Sequence, residues 1–321
     1  MKQAFPLTTW EQTRLLADPR RLRLLRLLMA RPATLSQLAR AVGQSPAWVQ
    51  HHLRQLTRAG LVEAEGAGGR GRPRTYRAAG GAFVLQRLVL PESDRPTAVF
   101  AGSHDLALER LAERLAPHLD LVLYPVGSLD GLVNLRQGLC HLSGAHLRDE
   151  DGSYNLPTVR RLFPGGGVRV VALARRVQGL MAAAGNPLGI RSLHDLLRPG
   201  LRFVGRNRGS GTRIWLEARL RELGIPPEAV CGGAREVATH TAAARLVAAG
   251  EADAALGLEA AARTAGLDFL PLFTERFDLV FPAEAAGPLL PLLETLPAAD
   301  FRRLAADLPG YDLSPAGDVL V

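Results

Sequence analysis

The sequence of 321 residues predicts an α/β protein that is built from two dissimilar parts. Between residues 10 and 61, apolar side chains recur at helical spacing, and a glycine- and arginine-rich segment follows them. From residue 98 onward, short apolar strands alternate with helical segments, a pattern typical of mostly parallel sheets with helices on their faces. We therefore expect two domains, 1–80 and 98–321. The linker over 81–97 ends in a Pro-, Ser- and Asp-containing stretch.

Charge is distributed unevenly over the two parts. Residues 1–97 contain 16 Lys and Arg against 6 Asp and Glu, whereas the rest of the chain contains 23 against 25, for a net charge of +8. A module that binds nucleic-acid phosphates needs such an excess of positive charge, so we expect it in the N-terminal part. The content of 47% hydrophobic and 22% charged residues excludes a disordered chain.

The sequence gives no sign of a disulfide framework, a metal site or a membrane span. Cys140 and Cys231 are isolated from each other and from any Cys/His cluster. His141 and His146 could be considered as metal ligands, but no carboxylate or thiol partner accompanies them. No run approaches 18 apolar residues, and the N-terminus lacks the apolar core of a signal peptide. We expect a cytoplasmic protein that does not bind membranes.

The segment Ser45–Leu61, SPAWVQHHLRQLTRAGL, predicts a helix with clear start and stop signals. Ser45 can cap it, a proline occupies its first position, and Gly60 ends it. A shorter amphipathic helix over Thr34–Val42 precedes it, and Gly43 forms the turn between the two. Two helices around a glycine turn, followed by a basic hairpin, are the layout of a winged helix-turn-helix.

A winged helix-turn-helix places its second helix in the major groove of double-stranded DNA. We expect the polar residues off the apolar face of that helix, and the basic hairpin tip, to contact bases and phosphates. The predicted DNA-binding residues are Ser45, Gln50, His51, Arg54, Arg70, Arg72 and Arg74.

Two segments, LADPRRLRLLRLL and VQHHLRQLTRAGLV, resemble the ArsR-type winged-helix repressors over residues 10–80. The resemblance implies a homodimer that binds a roughly palindromic DNA site. Many of these repressors sense a metal through cysteines in the helix before the turn, but TLSQLARAV contains no Cys or His. We therefore expect the sensor to lie in the C-terminal part.

Three strand-to-helix turns of the C-terminal part share one chemistry. They are AGS at 101–103, VGS at 126–128 and RNRGSGTR at 206–213, and a fourth turn, THT at 239–241, also opens a helix with hydroxyls. Free backbone amides, the positive helix end and a hydroxyl donor together can bind an anion. The alternative is that these Ser and Thr residues are ordinary helix N-caps. Neither GxGxxG nor GxxxxGK[ST] is present, so dinucleotide and P-loop sites are poorly supported.

From about residue 98 to 321 the chain resembles the type 2 periplasmic-binding-protein fold, as found joined to helix-turn-helix modules and to molybdopterin-biosynthesis proteins. FVGRNRGSGTR resembles the Arg-containing SGT loop of tungstate-binding proteins, and AGSHDLALERL and VGSLDGLVNLRQG stand where that superfamily has its two hydroxyl-bearing loops. The resemblance implies two lobes that close on molybdate or tungstate. The ligand-binding residues that it implies are Ser103, Ser128, Arg206, Ser210 and Thr212, with Arg213 and Thr239 as weaker candidates.

Together these features predict a ligand-responsive transcriptional regulator that senses a small oxyanion and needs no cofactor. No nucleophile elbow is present, so we expect no enzyme. A site of donors alone suits a fully deprotonated dianion, although Asp105 and Asp130 could supply an acceptor. Two alternatives remain open. The same architecture could sense an organic acid or a molybdopterin-like metabolite, or the C-terminal part could be a module related to cofactor biosynthesis.

Overall fold

The computed structural model describes residues 4–7, 9–65, 74–85, 88–91, 94–149 and 151–321. The chain divides into two compact units, Met1–Arg87 and Leu88–Val321. Within the described ranges, no helix has the length and apolar character that crossing a bilayer requires.

The N-terminal unit has the winged helix-turn-helix layout that the sequence predicts. Its helices are α1 (Trp10–Leu16), α2 (Pro19–Ala30), α3 (Leu35–Val42) and α4 (Pro46–Arg58), and its strands are β1 (Ala4–Leu7), β2 (Ala33–Thr34), β3 (Val62–Glu65), β4 (Thr75–Ala78) and β5 (Ala82–Leu85). Strands β2, β4 and β3 form an antiparallel sheet in that order. The hairpin tip over 66–73 lies outside the described residues.

Local capping signals position the two helices of the helix-turn-helix. Thr34 and Gln37 form a capping box at the start of α3, each side chain accepting from the backbone amide of the other. Gly43 ends α3 with a φ of +68°, and Ser45 caps α4 by accepting from the Trp48 amide at 3.2 Å. The turn therefore occupies only residues 43–45.

The apolar face of α4 fixes its orientation in the N-terminal core. Val49, Leu53 and Leu56 are completely buried and belong to one cluster with Leu25 and Leu38 of α2 and α3. Burying one such side chain is worth about 1.5–3 kcal/mol, so this stripe decides which face of α4 remains exposed.

The structure differs from the predicted linker over its first residues. Residues 82–85 form β5, which pairs in parallel with β1 and belongs to the N-terminal unit. Leu88, just beyond the boundary, packs against a core cluster of the second unit. Since β5 pairs with a strand at the far end of the unit, local turn signals could not reveal it.

The C-terminal unit is an α/β structure, as predicted. Its strands are β6 (Thr97–Gly102), β7 (Asp120–Pro125), β8 (Ser143–Ala145), β9 (Val168–Ala182), β10 (Phe203–Arg206), β11 (Arg235–Val237), β12 (Ala254–Leu258), β13 (Asp268–Pro282) and β14 (Tyr311–Asp312). Its α-helices are α5 (Leu106–Leu115), α6 (Ser128–Arg136), α7 (Leu156–Leu162), α8 (Gly211–Glu222), α9 (Pro227–Cys231), α10 (His240–Ala248), α11 (Glu259–Thr264), α12 (Ala286–Thr295) and α13 (Ala299–Leu304). Two 3-10 helices cover Leu193–Leu197 and Ala283–Ala285.

A long antiparallel ribbon of β9 and β13 organises this unit into two lobes. Each strand has 15 residues, so the ribbon spans roughly 50 Å. β12 pairs with residues 178–182 of β9, whereas β8 pairs with residues 278–280 of β13. Because β9 and β13 run in opposite directions, these strands join the ribbon at opposite ends. The first lobe surrounds β6, β7 and β8, and the second surrounds β10, β11 and β12.

Parallel strands place the strand-to-helix turns of each lobe at a common edge. β6 pairs in parallel with β7 in the first lobe, and β10 lies between its parallel neighbours β11 and β12 in the second. In such sheets ligands bind at the carboxyl ends of the strands, where the helices begin. These turns contain the predicted ligand-binding residues.

Candidate functional site

The middle of the ribbon carries three buried polar side chains. Arg176 and Gln178 lie on the same face of β9, and Glu275 of β13 is the register partner of Arg176. All three are at most 2% exposed. The Arg176 guanidinium forms ion pairs with Glu275 and, at 2.8 Å, with Asp105. The ribbon is therefore polar and charged where it passes from one lobe to the other.

Two turns of the first lobe hold Ser103 and Ser128 around His146. Both serines are completely buried. The Nε2 atom of His146 lies 2.8 Å from Ser103 Oγ, and its backbone amide donates to Ser128 Oγ at 3.2 Å. Its Nδ1 atom lies 2.5 Å from a carboxylate oxygen of Glu275. A polar chain thus connects the first-lobe turns to the ribbon.

The His146 ring determines where the Ser103 hydroxyl proton points. Burial lowers the pKa of His146, so the ring is neutral and carries one N–H. Nδ1 faces the Glu275 carboxylate, which only accepts, and therefore holds the proton. Nε2 then accepts from the Ser103 hydroxyl. Ser103 lies in the predicted place, but its proton is used within the protein and is not available to an anion.

The β10–α8 turn supplies the predicted groups of the second lobe. Arg206 ends β10, Ser210 caps α8, and Thr212 lies in the first turn of α8, each at most 2% exposed. Arg206 donates to the carbonyls of Val237 and Ala238 at 3.3 and 2.7 Å. Because α8 begins here, its first-turn amides and the positive end of its dipole act on the same point.

The turns of the two lobes are hydrogen-bonded to each other. The Leu129 amide donates to the Gly209 carbonyl at 3.1 Å, and the Asn207 side-chain amide donates to the Val126 carbonyl at 2.7 Å. These bonds join residues that come from opposite ends of the ribbon. The lobes are therefore closed on each other.

Two glycines allow this close approach. Gly127 has a φ of +101°, and a Cβ there would lie 2.9 Å from the Ser210 amide nitrogen. Gly211 packs against the ring of His146, where a Cβ would lie 2.6 Å from ring atoms. Any larger residue at either position would push the lobes apart.

Several buried polar atoms at this lobe boundary have no hydrogen-bond partner among the residues that the structure describes. They are Arg206 Nη1, Thr212 Oγ1, Arg176 Nε, Asn207 Oδ1, both side-chain amide atoms of Gln178 and both ring nitrogens of His240. Leaving one buried polar group unsatisfied costs about 1–3 kcal/mol, so such a group requires an explanation.

Two further hydroxyls can donate although their oxygens are already used. Ser128 Oγ accepts from the His146 amide, and Ser210 Oγ accepts from the Arg213 amide at 3.2 Å. A hydroxyl that accepts at its oxygen still has its own proton to donate. Capping α8 and donating to a ligand are therefore compatible roles for Ser210. We call Ser128, Arg206, Ser210 and Thr212 the donor cluster.

Positive charge in the donor cluster is not balanced locally. Burial, together with the nearby Arg176, lowers the pKa of Arg206 to about 9, so the side chain is still cationic at neutral pH but its charge is disfavoured. Arg176 itself is matched by two carboxylates. Although burial alone would raise it, Arg176 and His146 lower the pKa of Glu275 to about 2. An anion beside Arg206 would offset the unfavourable charge.

Arg213 and Thr239, the weaker candidates, differ from the donor cluster in their contacts and burial. Arg213 Nε lies 2.5 Å from Glu217 and its Nη1 lies 3.3 Å from Glu236. Its charge is thus already compensated within the second lobe. Thr239 is half-buried and caps α10 by accepting from the Ala242 amide at 3.0 Å, so its hydroxyl, like that of Ser210, still has a proton to donate. The donor cluster is limited to side chains that are at most 2% exposed, which leaves both residues out.

The predicted acceptors are placed differently from the expectation. Asp105 is the N-cap of α5 and accepts from the Leu108 amide at 2.6 Å, from Arg176 and from the Tyr311 hydroxyl at 2.8 Å. Asp130 is exposed, and its carboxylate lies against Gly209, where a Cβ would be 3.1 Å from it. Asp105 is therefore fully occupied, whereas Asp130 keeps acceptor capacity next to the second-lobe turn.

The DNA-binding candidates on α4 lie on its outer side. Ser45, His51 and Arg54 are exposed, and Gln50 is half-buried. His52 instead is buried and packs edge-on against Trp48, with ring centroids 4.3 Å apart. In the hairpin, Arg74 is exposed, whereas Arg70 and Arg72 lie outside the described residues.

No group of three or more His, Cys, Asp or Glu side chains in the described ranges could hold a metal ion. The two histidines considered from the sequence have separate partners. His141 Nδ1 accepts from the Val99 amide at 2.9 Å, and His146 bonds as described above.

Comparison with known proteins identifies both units. Residues 109–296, more than half of the chain, match the family model of the PBP superfamily domain. The chain belongs to this superfamily. Residues 18–64 match the model described as bacterial regulatory protein, arsR family. The protein therefore joins an ArsR-family DNA-binding domain to a ligand-binding domain of the PBP superfamily.

Similar proteins extend this result without naming a ligand for this chain. The uncharacterized protein YvgK of Bacillus subtilis is 34% identical over 231 residues, which are 71% of this chain and 74% of YvgK. The sulfate-binding protein SubI from Mycobacterium tuberculosis has a TM-score of 0.48 at 16% identity, covering 68% of this chain and 86% of SubI. The tungstate ABC transporter structure from Geobacter sulfurreducens has a TM-score of 0.47 at 13% identity, covering 67% and 98%.

Within the PBP-superfamily unit, sequence reasoning missed the residues of the ribbon. Arg176, Gln178 and Glu275 of the ribbon are not among the predicted ligand-binding residues, nor is His240 at the start of α10, and the local sequence signal for them is weak. Arg176 and Gln178 interrupt the mostly apolar strand VRVVALARRVQGLMA with two polar side chains on one face. Such a pair within a buried strand indicates a polar site.

Proposed function

We propose that the chain is a ligand-responsive transcriptional regulator. Its N-terminal unit would bind double-stranded DNA, and its C-terminal unit would bind a small oxyanion between the two lobes. Molybdate and tungstate are the first candidates because the loop FVGRNRGSGTR resembles that of tungstate-binding proteins.

The observation that carries the oxyanion proposal is the hydrogen-bonding balance of the donor cluster. Three buried hydroxyls have protons to donate, and Arg206 Nη1 has no partner among the described residues. The four groups come from both lobes, so an anion bound by all of them would hold the lobes together. Helix α8 adds the favourable electrostatics of its N-terminus.

The same balance favours a fully deprotonated anion. A protonated anion such as monohydrogen phosphate needs an acceptor for its own proton. Both carboxylate oxygens of Glu275 are already used by Arg176 and His146, and Asp105 is likewise occupied. The acceptors that remain at the lobe boundary, the amide oxygens of Gln178 and Asn207 and the Asp130 carboxylate, lie outside the donor cluster. Molybdate and tungstate, like sulfate, are dianions at neutral pH and need no acceptor. Sensing of an organic acid is the second candidate, since a carboxylate is also deprotonated at that pH.

Regulation would follow from linkage between the two units. An anion can shift DNA affinity only by as much as it binds one dimer geometry better than another. The ArsR-type helix-turn-helix favours a homodimer on a roughly palindromic site, with α4 in the major groove.

Thermal shift measurements with the full chain test the oxyanion. We expect molybdate or tungstate to raise Tm, because ligand at 100 times its Kd stabilises by about 2.7 kcal/mol. Phosphate, which retains a proton at neutral pH, should raise it less. Sulfate, a dianion without a proton, tests whether the site distinguishes anions of equal charge by size. Arg206→Gln should abolish the response. Arg208→Gln, which removes an exposed arginine of the same turn, should retain it. A flat response to all four anions at millimolar concentration would contradict the oxyanion proposal.

Fluorescence anisotropy tests the DNA-binding unit, using a duplex that the wild-type protein selects from a random library. Arg54→Ala should weaken binding by about 1–3 kcal/mol if Arg54 contacts a base. Arg160→Ala, an equal charge change at an exposed site of the second unit, should leave binding nearly unchanged. Equal losses in the two variants would indicate only a net-charge effect, and would count against α4 as the recognition helix.

A further inference from the structure

A cavity of about 460 Å³ lies directly beside the donor cluster. His146, Gly211 and Glu275 line it. His146 is the same side chain that bonds Ser103, and Gly211 lies between the cluster residues Ser210 and Thr212. The described lining contains none of the four cluster residues, so the cavity and the cluster meet at His146 and Gly211, and a ligand that occupies both must pass these two residues.

The cavity is too large for an inorganic oxyanion alone. Pockets of about 300–1,000 Å³ are typical of sites for organic small molecules. A tetrahedral oxyanion would fill only a small part of 460 Å³. The size therefore fits an organic body attached to the anionic group.

The walls of the cavity favour a flat, conjugated body. Trp215 of α8 and Phe273 of β13 line it and stack on each other, with ring centroids 3.8 Å apart and planes inclined by 17°. Tyr154 lines the cavity from the first lobe. The charged lining is mixed, with Arg148 and Arg219 against Asp149, Glu222 and Glu275, and Arg219 is paired with Glu222 at 2.7 Å. Aromatic walls bind planar rings by stacking, and guanidinium groups lie favourably over ring faces.

We infer that the ligand is an aromatic or heteroaromatic compound that carries an oxyanion group. The donor cluster binds the oxyanion, and the ring occupies the cavity beside Trp215. This inference rests on the proposed binding of an oxyanion by the donor cluster, and it adds the chemical class of the rest of the ligand.

Isothermal titration calorimetry with matched pairs of anions at pH 8 tests the inference. The pairs are phenyl phosphate against methyl phosphate and benzoate against acetate, with tungstate as the reference inorganic anion. We expect the aryl member of at least one pair to bind at least tenfold more tightly than its methyl analogue. The pair that shows the preference identifies the anionic group.

Three variants locate the binding. Trp215→Leu keeps apolar bulk against Phe273 but removes the indole ring, and should remove most of the aryl preference without changing the affinity for tungstate. Thr212→Val should lower the affinity for the aryl anion and for tungstate by a similar factor. Arg221→Gln, an exposed residue of α8 that does not line the cavity, should change neither. Urea unfolding of each variant without ligand verifies that the fold is intact.

The outcomes separate the inference from the function on which it rests. Equal binding of aryl and methyl anions, or an aryl preference that survives Trp215→Leu, would overturn the inference while leaving the oxyanion site in place. An affinity for the aryl anion that is unchanged in Thr212→Val would overturn the inference as well, because the ring and the anionic group would then bind independently. Absence of binding by every anion, tungstate included, would contradict the proposed function itself.

Discussion

At the scale of single residues, the hydroxyls around the lobe boundary differ in whether they already donate a hydrogen bond within the protein. Ser103 donates to His146, whereas Thr212 has no partner among the described residues. Sequence alone presents both as hydroxyls in strand-to-helix turns. Only the neighbouring ring and its protonation state distinguish a structural serine from a group that is free to donate.

This difference predicts opposite behaviour for two conservative variants. Thr212→Val removes an unsatisfied hydroxyl, so the ligand-free protein should be as stable as wild type or up to about 1–2 kcal/mol more stable. The affinity for the anion should fall roughly 10- to 100-fold, since a hydrogen bond to a charged group is worth about 1.5–3 kcal/mol. Ser103→Ala should instead reduce stability and change anion affinity much less. Calorimetry and urea unfolding measure both quantities, and a Thr212→Val protein that binds like wild type would remove Thr212 from the site.

A second residue, Asp278, predicts a pH dependence of stability. It is completely buried, bonded to Asn155 at 2.7 Å and to Arg276 at 3.0 Å, and burial raises its pKa to about 6 from an ordinary value of 3.8. Between these two values the folded state binds more protons than the unfolded state. Stability contributed by this group is therefore present at low pH and is lost as the pH rises from about 4 to about 6.

The Asp278→Asn variant isolates that contribution. The difference in unfolding free energy between wild type and variant should change by on the order of 2–3 kcal/mol between pH 4 and pH 7, with wild type relatively more stable at pH 4. Urea unfolding at several pH values gives this difference directly. A constant difference over the range would show that Asp278 has the same pKa in both states.

At the scale of elements, local signals predicted most of the secondary structure but little of the site. Helix α4 begins after Ser45, as its cap and proline indicate, because both signals lie within one turn of the boundary. The pairing of Arg176 with Glu275 depends on the register of two strands that are about 100 residues apart in sequence. No local pattern encodes that register, so the charged centre of the ribbon could not be predicted.

The turn between β7 and α6 supplies an element-scale prediction. Gly127→Ala would place a Cβ 2.9 Å from the Ser210 amide, so the first-lobe and second-lobe turns should separate and anion affinity should fall more than tenfold. Gly138→Ala is the matched control, because Gly138 has a φ of +70° but a Cβ there would meet no described atom within 4 Å. The backbone strain of the two variants differs, because Gly127 has φ +101° and ψ +164°, a region essentially restricted to glycine, whereas alanine at the φ of Gly138 costs about 1 kcal/mol. The unfolding free energies of both variants, measured by urea unfolding, separate this strain from the loss of the turn contact. Equal affinities in the two variants would show that closure does not depend on the turn contact.

At the scale of the whole molecule, the proposal predicts reciprocity between the two ligands. If the anion changes the Kd for DNA by some factor, bound DNA must change the Kd for the anion by the same factor. Anisotropy with and without anion gives the first factor, and calorimetry with and without duplex gives the second. Couplings of this kind are typically 5- to 150-fold. Unequal factors under identical conditions would mean that an additional equilibrium, such as a change in oligomeric state, contributes.

The interlocked turns of the closed lobes also have a consequence for timing. If the proposed anion lies beneath the bonds from Leu129 to Gly209 and from Asn207 to Val126, it can leave only after those bonds break. Its departure rate would then be limited by the opening of the two lobes. A sensor of this kind averages over brief fluctuations in supply and responds to sustained changes. The backbone contact between the two glycine turns would thus set the dissociation rate of the ligand, and with it the time that the regulator needs to respond.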